Sequence, residues 1–305
     1  MRRTSAVWKN MLFGAWKEAK PTEGPWVVEL PEDKPESVRT LLAIIHSKFD
    51  IVRTFVYLNQ LHDILLVTDK FDMISVIRPW ASAWVQMAAF GAGVGEEVSL
   101  CDRALGIHVA GELGIDNMLS LETRELIFGA PVVQDGADMR VTYNGKHIRF
   151  ESYAAPSDLV IAGLRLALIQ TLLDFYHAEI RCRTRDEGAC QAISTSIYDG
   201  NSERPVCDSL LLGSLFRTQH RLGLDPLPLK ADKFLGSAHS LMVFLSAMFS
   251  ALPCLNARHN GCSPSKKYMD FEAKTKSNKK WLDVVRPEHK QRMAPQRKKL
   301  GLPKL

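Results

Sequence analysis

Apolar residues recur at helical spacing along most of the chain, and this pattern predicts a mainly α-helical protein. In residues 61–84 the apolar side chains fall three or four positions apart, as they do on a helix with one buried face. The polar stretch 68–72 interrupts this spacing, so we expect the first helix to end there and Asp72 to cap the next one. Residues 61–84 therefore predict two short helices that pack on a core.

The residues ahead of this pair predict a helix, a strand and another helix. Thr4 and Ser5 precede a short stretch of helical period, as capping residues do. Residues 26–30 are rich in β-formers and lie between two prolines, which favours a short strand. The acidic, proline-containing stretch 31–36 is suited to the start of a helix, which should continue to about His46.

The helical period continues through the rest of the chain with one interruption. Residues 139–151 alternate between apolar and polar, and Asn144-Gly145 in their middle is typical of a tight hairpin turn. A two-stranded hairpin is only marginally stable alone, so we expect it to be an insertion between helical regions. The expected helices are 98–113, 121–128, 157–182, 207–222 and 236–249.

Four short motifs follow one another in the first 86 residues. They are 5–12 (SAVWKNML), 28–33 (VELPED), 42–46 (LAIIH), and 68–72 (TDKFD) together with 78–80 (RPW). In this order they resemble the second half of a BTB/POZ domain, in the version common in filamentous-fungal proteins. A BTB domain normally opens with a β-hairpin and a first helix, and this chain begins after both. The resemblance therefore implies a truncated BTB/POZ fold.

The second half of the chain also resembles the helical C-terminal region of that fungal group. The motifs that carry this are 207–208, 212–215, 223–226, 236–237 and 259–262. The implied fold is mainly α with an α+β remnant, namely a truncated BTB/POZ fold followed by a helical domain and a disordered basic tail. The expected domains are 1–88 (partial BTB/POZ), 97–130 (helical extension), 139–151 (β-hairpin insertion), 157–262 (helical C-terminal domain) and 265–305 (basic, disordered tail).

Composition and targeting signals indicate an intracellular protein. Hydrophobic content is 46% and charged content 24%, as in ordinary globular proteins. No unbroken apolar run reaches the roughly 18–20 residues of a membrane span, and no secretory signal is present. We therefore expect a protein of the cytoplasm or nucleus with no membrane partner, whose six cysteines stay reduced.

The positive charge of the chain is concentrated near its end. Residues 266–305 contain thirteen Lys/Arg against four Asp/Glu, although the whole chain carries a net charge of only +5. Such a segment is either a solvated, disordered end or a nuclear-import or nucleic-acid-contacting segment. Its densest basic positions are Lys274, Lys276, Lys279, Lys280, Arg297, Lys298 and Lys299.

One set of thiols and an imidazole could hold a metal ion. Cys190, Cys207, His259 and Cys262 include an H-x-x-C pair, and tetrahedral zinc takes four such ligands. The alternative is that these cysteines are reduced, buried apolar residues. No C-x-x-C pair is present, and Cys182 or Cys254 could replace one of the ligands. A structural zinc ion is the one cofactor that the sequence suggests.

No catalytic motif accompanies these features, so we expect a non-enzymatic protein. Neither a G-x-S-x-G elbow nor a phosphate-binding G-x-x-x-x-G-K-[ST] loop occurs. The BTB resemblance implies a protein–protein interaction role, as an adaptor on a cullin-type scaffold or through self-association. The surface it implies includes Phe49, Phe55, Tyr57 and His62. The alternatives are a nuclear or nucleic-acid-associated protein that acts through its basic tail, and a non-functional truncated gene product.

Overall fold

The computed structural model describes residues 3–91, 99–135, 138–143, 146–147, 156–185, 188–190, 203–223 and 226–302. The chain divides into two compact units. Unit 1 contains the described parts of Met1–Thr123, Arg149–Pro156 and Val285–Leu305, and unit 2 those of Arg124–Ile148 and Ser157–Val284. In chain order, unit 2 therefore separates the two ends of unit 1.

The protein is mainly helical, as the apolar spacing predicted. Within the described residues the helices are α1 Ala6–Phe13, α2 Pro35–Ile45, α3 Leu58–Lys70, α4 Arg78–Gly91, α5 Leu100–Leu113, α6 Asp116–Gly129, α7 Asp158–Thr184, α8 Glu203–Arg221, α9 Ala238–Ser250, α10 Ser265–Lys276, α11 Lys279–Leu282 and α12 Pro287–Leu300. The strands are β1 Val132–Asp135, β2 Asp138–Tyr143 and β3 Lys146–His147.

The helix at the start of unit 1 is capped as predicted. The Ser5 hydroxyl accepts the backbone N–H of Trp8 at 3.0 Å and also donates to the carbonyl of Phe71. The Trp8 ring packs on Phe71, with ring centroids 4.6 Å apart. Because Phe71 follows the end of α3, these contacts join the first helix to the helical pair.

The predicted helical pair is present as α3 and α4, but its connection differs from the expectation. Asp72 does not cap the second helix: it has a left-handed φ of +42°, and Met73 precedes the 3-10 turn Ile74–Ile77 that leads into α4. Ile77 and Trp84 are fully buried, and the indole N–H of Trp84 donates to the carbonyl of Arg53 at 3.0 Å. The apolar face of the pair thus forms part of the core of unit 1.

The strand expected at residues 26–30 is absent, and that prediction was wrong. Trp26 and Val27 are 41% and 71% exposed, and the Trp26 indole donates to the carbonyl of Glu18. A strand requires a neighbouring strand for its backbone hydrogen bonds, and the described residues of unit 1 contain none. Despite their β-propensity, these residues therefore have no described strand in unit 1 with which to pair.

Residues 265–300 form the three helices α10, α11 and α12 with short connections, so the prediction of a disordered tail was wrong. In α10 Tyr268 is buried, and its hydroxyl donates to the carbonyl of Met242 at 2.9 Å. In α12 Met293 and Leu300 are 1% and 2% exposed within unit 1. A few well-spaced apolar residues outweigh the basic composition here, because each is buried against a helical core.

The predicted hairpin is present but belongs to a larger sheet. Strands β2 and β3 pair antiparallel through Thr142↔His147 and Tyr143↔Lys146. β1 pairs antiparallel with β2 and was not predicted, which gives a sheet of the order β1-β2-β3. The expected turn Asn144-Gly145 and the end of the predicted insertion, 148–151, lie outside the described residues.

The longest helix, α7, is the central element of unit 2. Its buried face includes Leu168, Ile169, Leu172 and Leu173, all fully inaccessible. The buried guanidinium of Arg165 donates to the carbonyl of Ala130 at 2.8 Å and to that of Gly236, so it joins the end of α6 to the start of α9.

The same helix changes the expectation about membrane-length segments. Residues Leu159–Thr184 are long and apolar enough to span a membrane by length and composition, with a mean hydropathy of 1.6. The sequence prediction considered only unbroken apolar runs and so missed this helix. A core helix passes the same test, and the buried, hydrogen-bonded Arg165 in its first half is typical of such a core position.

Candidate metal centre

Unit 2 brings together the four residues that the sequence singled out as metal ligands. The Sγ atoms of Cys190, Cys207 and Cys262 and a ring nitrogen of His259 all lie within 4.8 Å of one another, and all four residues are buried. We call this set the Cys₃His cluster. Metal binding by the cluster stays a prediction, but the convergence that it requires is present.

His259 and Cys262 are brought together by a short 3-10 helix. They lie at positions i and i+3 of the turn Ala257–Cys262, and side chains at this spacing eclipse one another in a 3-10 helix. The Asn256 side chain begins the turn by accepting the N–H of Arg258 at 3.0 Å. The H-x-x-C spacing thus places two ligand atoms on one side of a single turn.

The other two ligands come from separate elements. Cys207 lies near the start of α8, in its second turn, and is 1% exposed. Cys190 lies shortly after α7, where Gly188 has a positive φ of +66° and donates its N–H to the carbonyl of Arg185. The cluster therefore joins three segments that are far apart in the sequence.

The distances within the cluster match those of a tetrahedral zinc site. With Zn–S bonds of about 2.3 Å and Zn–N bonds of about 2.0 Å, tetrahedral ligands lie about 3.8 Å apart for two sulfurs and about 3.5 Å for sulfur and nitrogen. The Sγ atoms of Cys190 and Cys262 are 3.6 Å apart, and His259 Nδ1 lies 3.2 Å from Cys190 Sγ and 3.8 Å from Cys262 Sγ. These three atoms therefore lie close to tetrahedral spacing, and Cys207 Sγ lies within 4.8 Å of each of them.

The histidine is oriented by a carboxylate on its far side. Nδ1 of His259 faces the thiols, whereas Nε2 lies 3.3 Å from the Glu203 carboxylate. Metal-bound histidines are commonly held in this way, because the carboxylate accepts the second ring N–H and fixes the tautomer. The ligand atom is therefore Nδ1.

In the absence of a metal ion, burial within the cluster favours protonated thiols over thiolates. Burial raises the pKa of the Cys207 thiol above its usual value, and repulsion from the neighbouring Cys262 and Cys190 raises it further. Burial opposes the protonation of His259, but hydrogen bonds to Glu203 and Cys262 outweigh it and raise its pKa. A divalent cation would stabilise the thiolates that burial disfavours, so metal uptake should release protons.

The two substitute ligands considered from sequence lie outside the cluster. Cys182 is half-buried near the end of α7, and Cys254 is exposed and donates its thiol hydrogen to the carbonyl of His259 at 3.3 Å. The structure thus brings together the set headed by the H-x-x-C pair. No local pattern could have ranked Cys190 above Cys182, because this depends on the turn at Gly188.

The aromatic residues of the implied BTB surface differ in exposure. Phe49, Phe55 and Tyr57 are 55%, 36% and 61% exposed. His62 is less exposed than expected: its side chain is 20% exposed, and its ring packs on the buried His108 with centroids 4.6 Å apart. A residue of α5, distant in sequence, covers part of α3 here.

The basic positions of the expected tail are divided between the units. Lys274, Lys276, Lys279 and Lys280 belong to unit 2, where Lys276 pairs with Glu272 at 2.6 Å. Arg297, Lys298 and Lys299 belong to unit 1, where Arg297 donates to the carbonyl of Gly114 and Lys299 pairs with Asp72. These side chains therefore stand on two folded surfaces.

Comparison with known proteins finds no matching protein-family model, no matching curated protein and no matching solved structure.

Proposed function

We propose that this chain is a non-enzymatic protein-interaction protein whose unit 2 is held together by one structural zinc ion bound to Cys190, Cys207, His259 and Cys262. The observation that carries the zinc part is the convergence of three buried thiols and one imidazole, whose ligand atoms all lie within 4.8 Å of one another. Zinc supplied with four protein ligands has no open position for water or substrate, and such closed sites are structural. The closed ligand set therefore favours a structural role for the metal rather than a catalytic one.

Zinc suits this ligand set better than other common divalent cations. Thiolate and imidazole are soft or borderline ligands, whereas magnesium and calcium require oxygen ligands. The energetic role follows from the separation of the segments involved. Cys190 and Cys262 are 72 positions apart, so a shared ion closes a long loop of chain and stabilises the folded state in which the ligands meet.

Metal analysis of the purified full chain tests this proposal. We expect about one zinc per chain, displaced by a strong chelator with a fall in thermal stability. Cys262→Ser should lower the zinc content to near zero. Cys101→Ser, at an exposed cysteine of unit 1, is the matched control and should leave it unchanged. A zinc content below about 0.2 per chain for protein purified without chelators would refute the proposal.

The interaction part of the proposal rests on the BTB-like order of motifs and on exposed aromatic residues in unit 1. The Phe49 ring packs on Trp80 at 5.5 Å, and the Phe55 and Tyr57 rings are 4.7 Å apart. Exposed aromatic residues are enriched in protein interfaces, where they supply large contact area at low entropic cost. The partner that this resemblance favours is a cullin-type scaffold, with self-association as the second candidate.

A triple substitution tests the aromatic surface. We expect the wild-type chain either to capture a purified cullin scaffold or to sediment as a dimer, and Phe49→Ala/Phe55→Ala/Tyr57→Ala to abolish that interaction. The control is Leu229→Ala/Met269→Ala in unit 2, which removes residues that are 71% and 61% exposed. Absence of both cullin binding and self-association in the wild-type chain would refute this role.

Nucleic-acid binding through the basic C-terminal residues is the second candidate function. The observation that favours it is the exposed set Lys274, Lys276, Lys279 and Lys280 on one short stretch of unit 2. The test is binding to single- and double-stranded DNA and RNA. Binding that weakens steeply with salt, and that is lost when these four lysines are replaced by glutamine, would support this function. Absence of binding at low salt would exclude it.

A further inference from the structure

We propose that Asp208, held by Arg183, is the positioning residue that presents Cys190 and Cys262 to the metal ion. This inference rests on the proposed function, because it assigns the outer shell of the same site. Asp208 follows the ligand Cys207 on α8, and Arg183 lies on the last turn of α7.

Asp208 holds the loop that carries Cys190 through its backbone. One carboxylate oxygen, Oδ2, accepts the N–H of Ala189 at 2.9 Å and the N–H of Cys190 at 3.1 Å. The carboxylate is almost fully buried, with a side-chain exposure of 5%. Charged acceptors form the stronger hydrogen bonds, so the two N–H groups fix the backbone at the ligand itself.

Arg183 connects this carboxylate to a second ligand. Its Nη1 donates to Asp208 Oδ1 at 3.0 Å, and its Nη2 donates to the carbonyl of Cys262 at 2.9 Å. The rigid fork of the guanidinium sets the spacing between these two acceptors. The Arg183–Asp208 ion pair therefore hydrogen-bonds to the backbone of both Cys190 and Cys262. The third ligand, Cys207, directly precedes Asp208 in the chain.

The start of α8 completes the arrangement. Glu203 lies one helical turn before Cys207, and its carboxylate orients His259 by pairing with the Nε2 atom of the imidazole. The first two turns of this helix thus contain one ligand and two carboxylates, which hold Cys190 and His259. All four ligands are connected to α8 or to Arg183, which explains how three distant segments meet at one point.

Gly188 indicates how closely the Cys190 loop is fitted to Asp208. A Cβ atom at this position would lie 2.5 Å from Asp208 Oδ2, far inside van der Waals contact. Its positive φ of +66° also disfavours any other residue. The loop can approach the carboxylate this closely only because residue 188 has no side chain.

Metal-binding measurements on Asp208→Asn test the inference. Asparagine keeps the shape of the side chain but loses the negative charge, so it accepts the N–H groups and the Arg183 pair less well. We expect zinc affinity, measured by competition with a chromophoric chelator, to fall 10- to 100-fold, as for other outer-shell substitutions. We also expect the thiolate-to-metal charge-transfer band of the Co²⁺-loaded protein to weaken, since Cys190 no longer reaches the ion.

Two further variants separate positioning from general destabilisation. Asp33→Asn removes a comparably buried carboxylate of unit 1 that pairs with Lys70 at 2.9 Å, and it should leave zinc affinity and the Co²⁺ spectrum unchanged. Gly188→Ala should weaken zinc binding as Asp208→Asn does, and it decides the matter if Asp208→Asn does not fold.

The outcomes separate this inference from the function on which it rests. A folded Asp208→Asn protein with wild-type zinc affinity and a wild-type Co²⁺ spectrum would overturn the positioning role but not the zinc site. A wild-type zinc affinity of Gly188→Ala would do the same. A wild-type chain that binds neither zinc nor Co²⁺ would overturn the zinc site itself and this inference with it.

Discussion

The buried histidine of unit 1 predicts that this unit loses stability in mild acid. His108 lies on α5, is 5% exposed, and both of its ring nitrogens lack a hydrogen-bond partner among the described residues. Burial and, to a smaller extent, the charge of the adjacent His62 together lower its pKa from 6.5 to about 4. Asp63 and Glu112 are the nearby acidic residues on the two helices that meet here.

The size and sign of the effect follow from proton linkage. Between pH 6.5 and 4 the unfolded chain has a protonated histidine at this position and the native chain a neutral one. Stability is therefore fully present above pH 6.5 and is lost as the pH falls. The loss is about 1.4 kcal/mol per pH unit and reaches about 3 kcal/mol near pH 4.

Urea unfolding checks this prediction. The free energy of unfolding is measured for the wild type and for His108→Leu at several pH values from 7.5 to 4.5. Five of the six tryptophans lie in unit 1, so tryptophan fluorescence reports mainly on that unit. The carboxylates titrate in both proteins, and the difference between the two pH profiles isolates His108. His46→Leu, at an exposed position of α2's C-terminal end, is the control. Equal pH dependence in the wild type and His108→Leu would refute the reasoning.

Three other results are expected. Ser5→Ala should lower the free energy of unfolding of unit 1 by about 1–2 kcal/mol in urea melts, because it removes the cap of α1 and the bond to Phe71, whereas the exposed Lys9→Ala should change it little. Met293→Ala should cost about 2–5 kcal/mol if α12 is part of the core, and Met269→Ala, which is 61% exposed, less than about 0.5 kcal/mol. Free zinc at 1,000 times its dissociation constant should raise the stability of unit 2 by about 4 kcal/mol, seen as slower hydrogen exchange in α7 to α10, and a chelator should reverse this.

The helices could be predicted from the sequence because their signals are local. The spacing of apolar residues marks α3, and Ser5 marks the start of α1 through a hydrogen bond only three residues long. The hairpin of β2 and β3 was likewise visible in its alternation and its central Asn-Gly. β1 carried no comparable pattern, because its pairing with β2 depends on the position of a strand rather than on its own residues.

The features that were missed depend on contacts between distant residues. The exposure of His62 could not be judged without knowing that His108 packs on it from another helix. The metal ligands were chosen by residue type, but their convergence depends on the pair Arg183–Asp208 and on the turn at Gly188. Basic composition suggested disorder for α12, and only the burial of residues such as Met293 shows why it folds.

The position of α12 affects how the protein can fold during synthesis. Arg297 bonds to Gly114 and Lys299 pairs with Asp72, at separations of 183 and 227 residues, so unit 1 closes on itself only after residues 297–299 have left the ribosome. Its N-terminal helices must wait, partly uncovered, while the whole of unit 2 is made, since domains otherwise fold as they emerge. At about 5–20 residues per second this delay lasts on the order of ten seconds or more, a period in which the apolar faces of α3 to α5 would depend on chaperones to avoid aggregation.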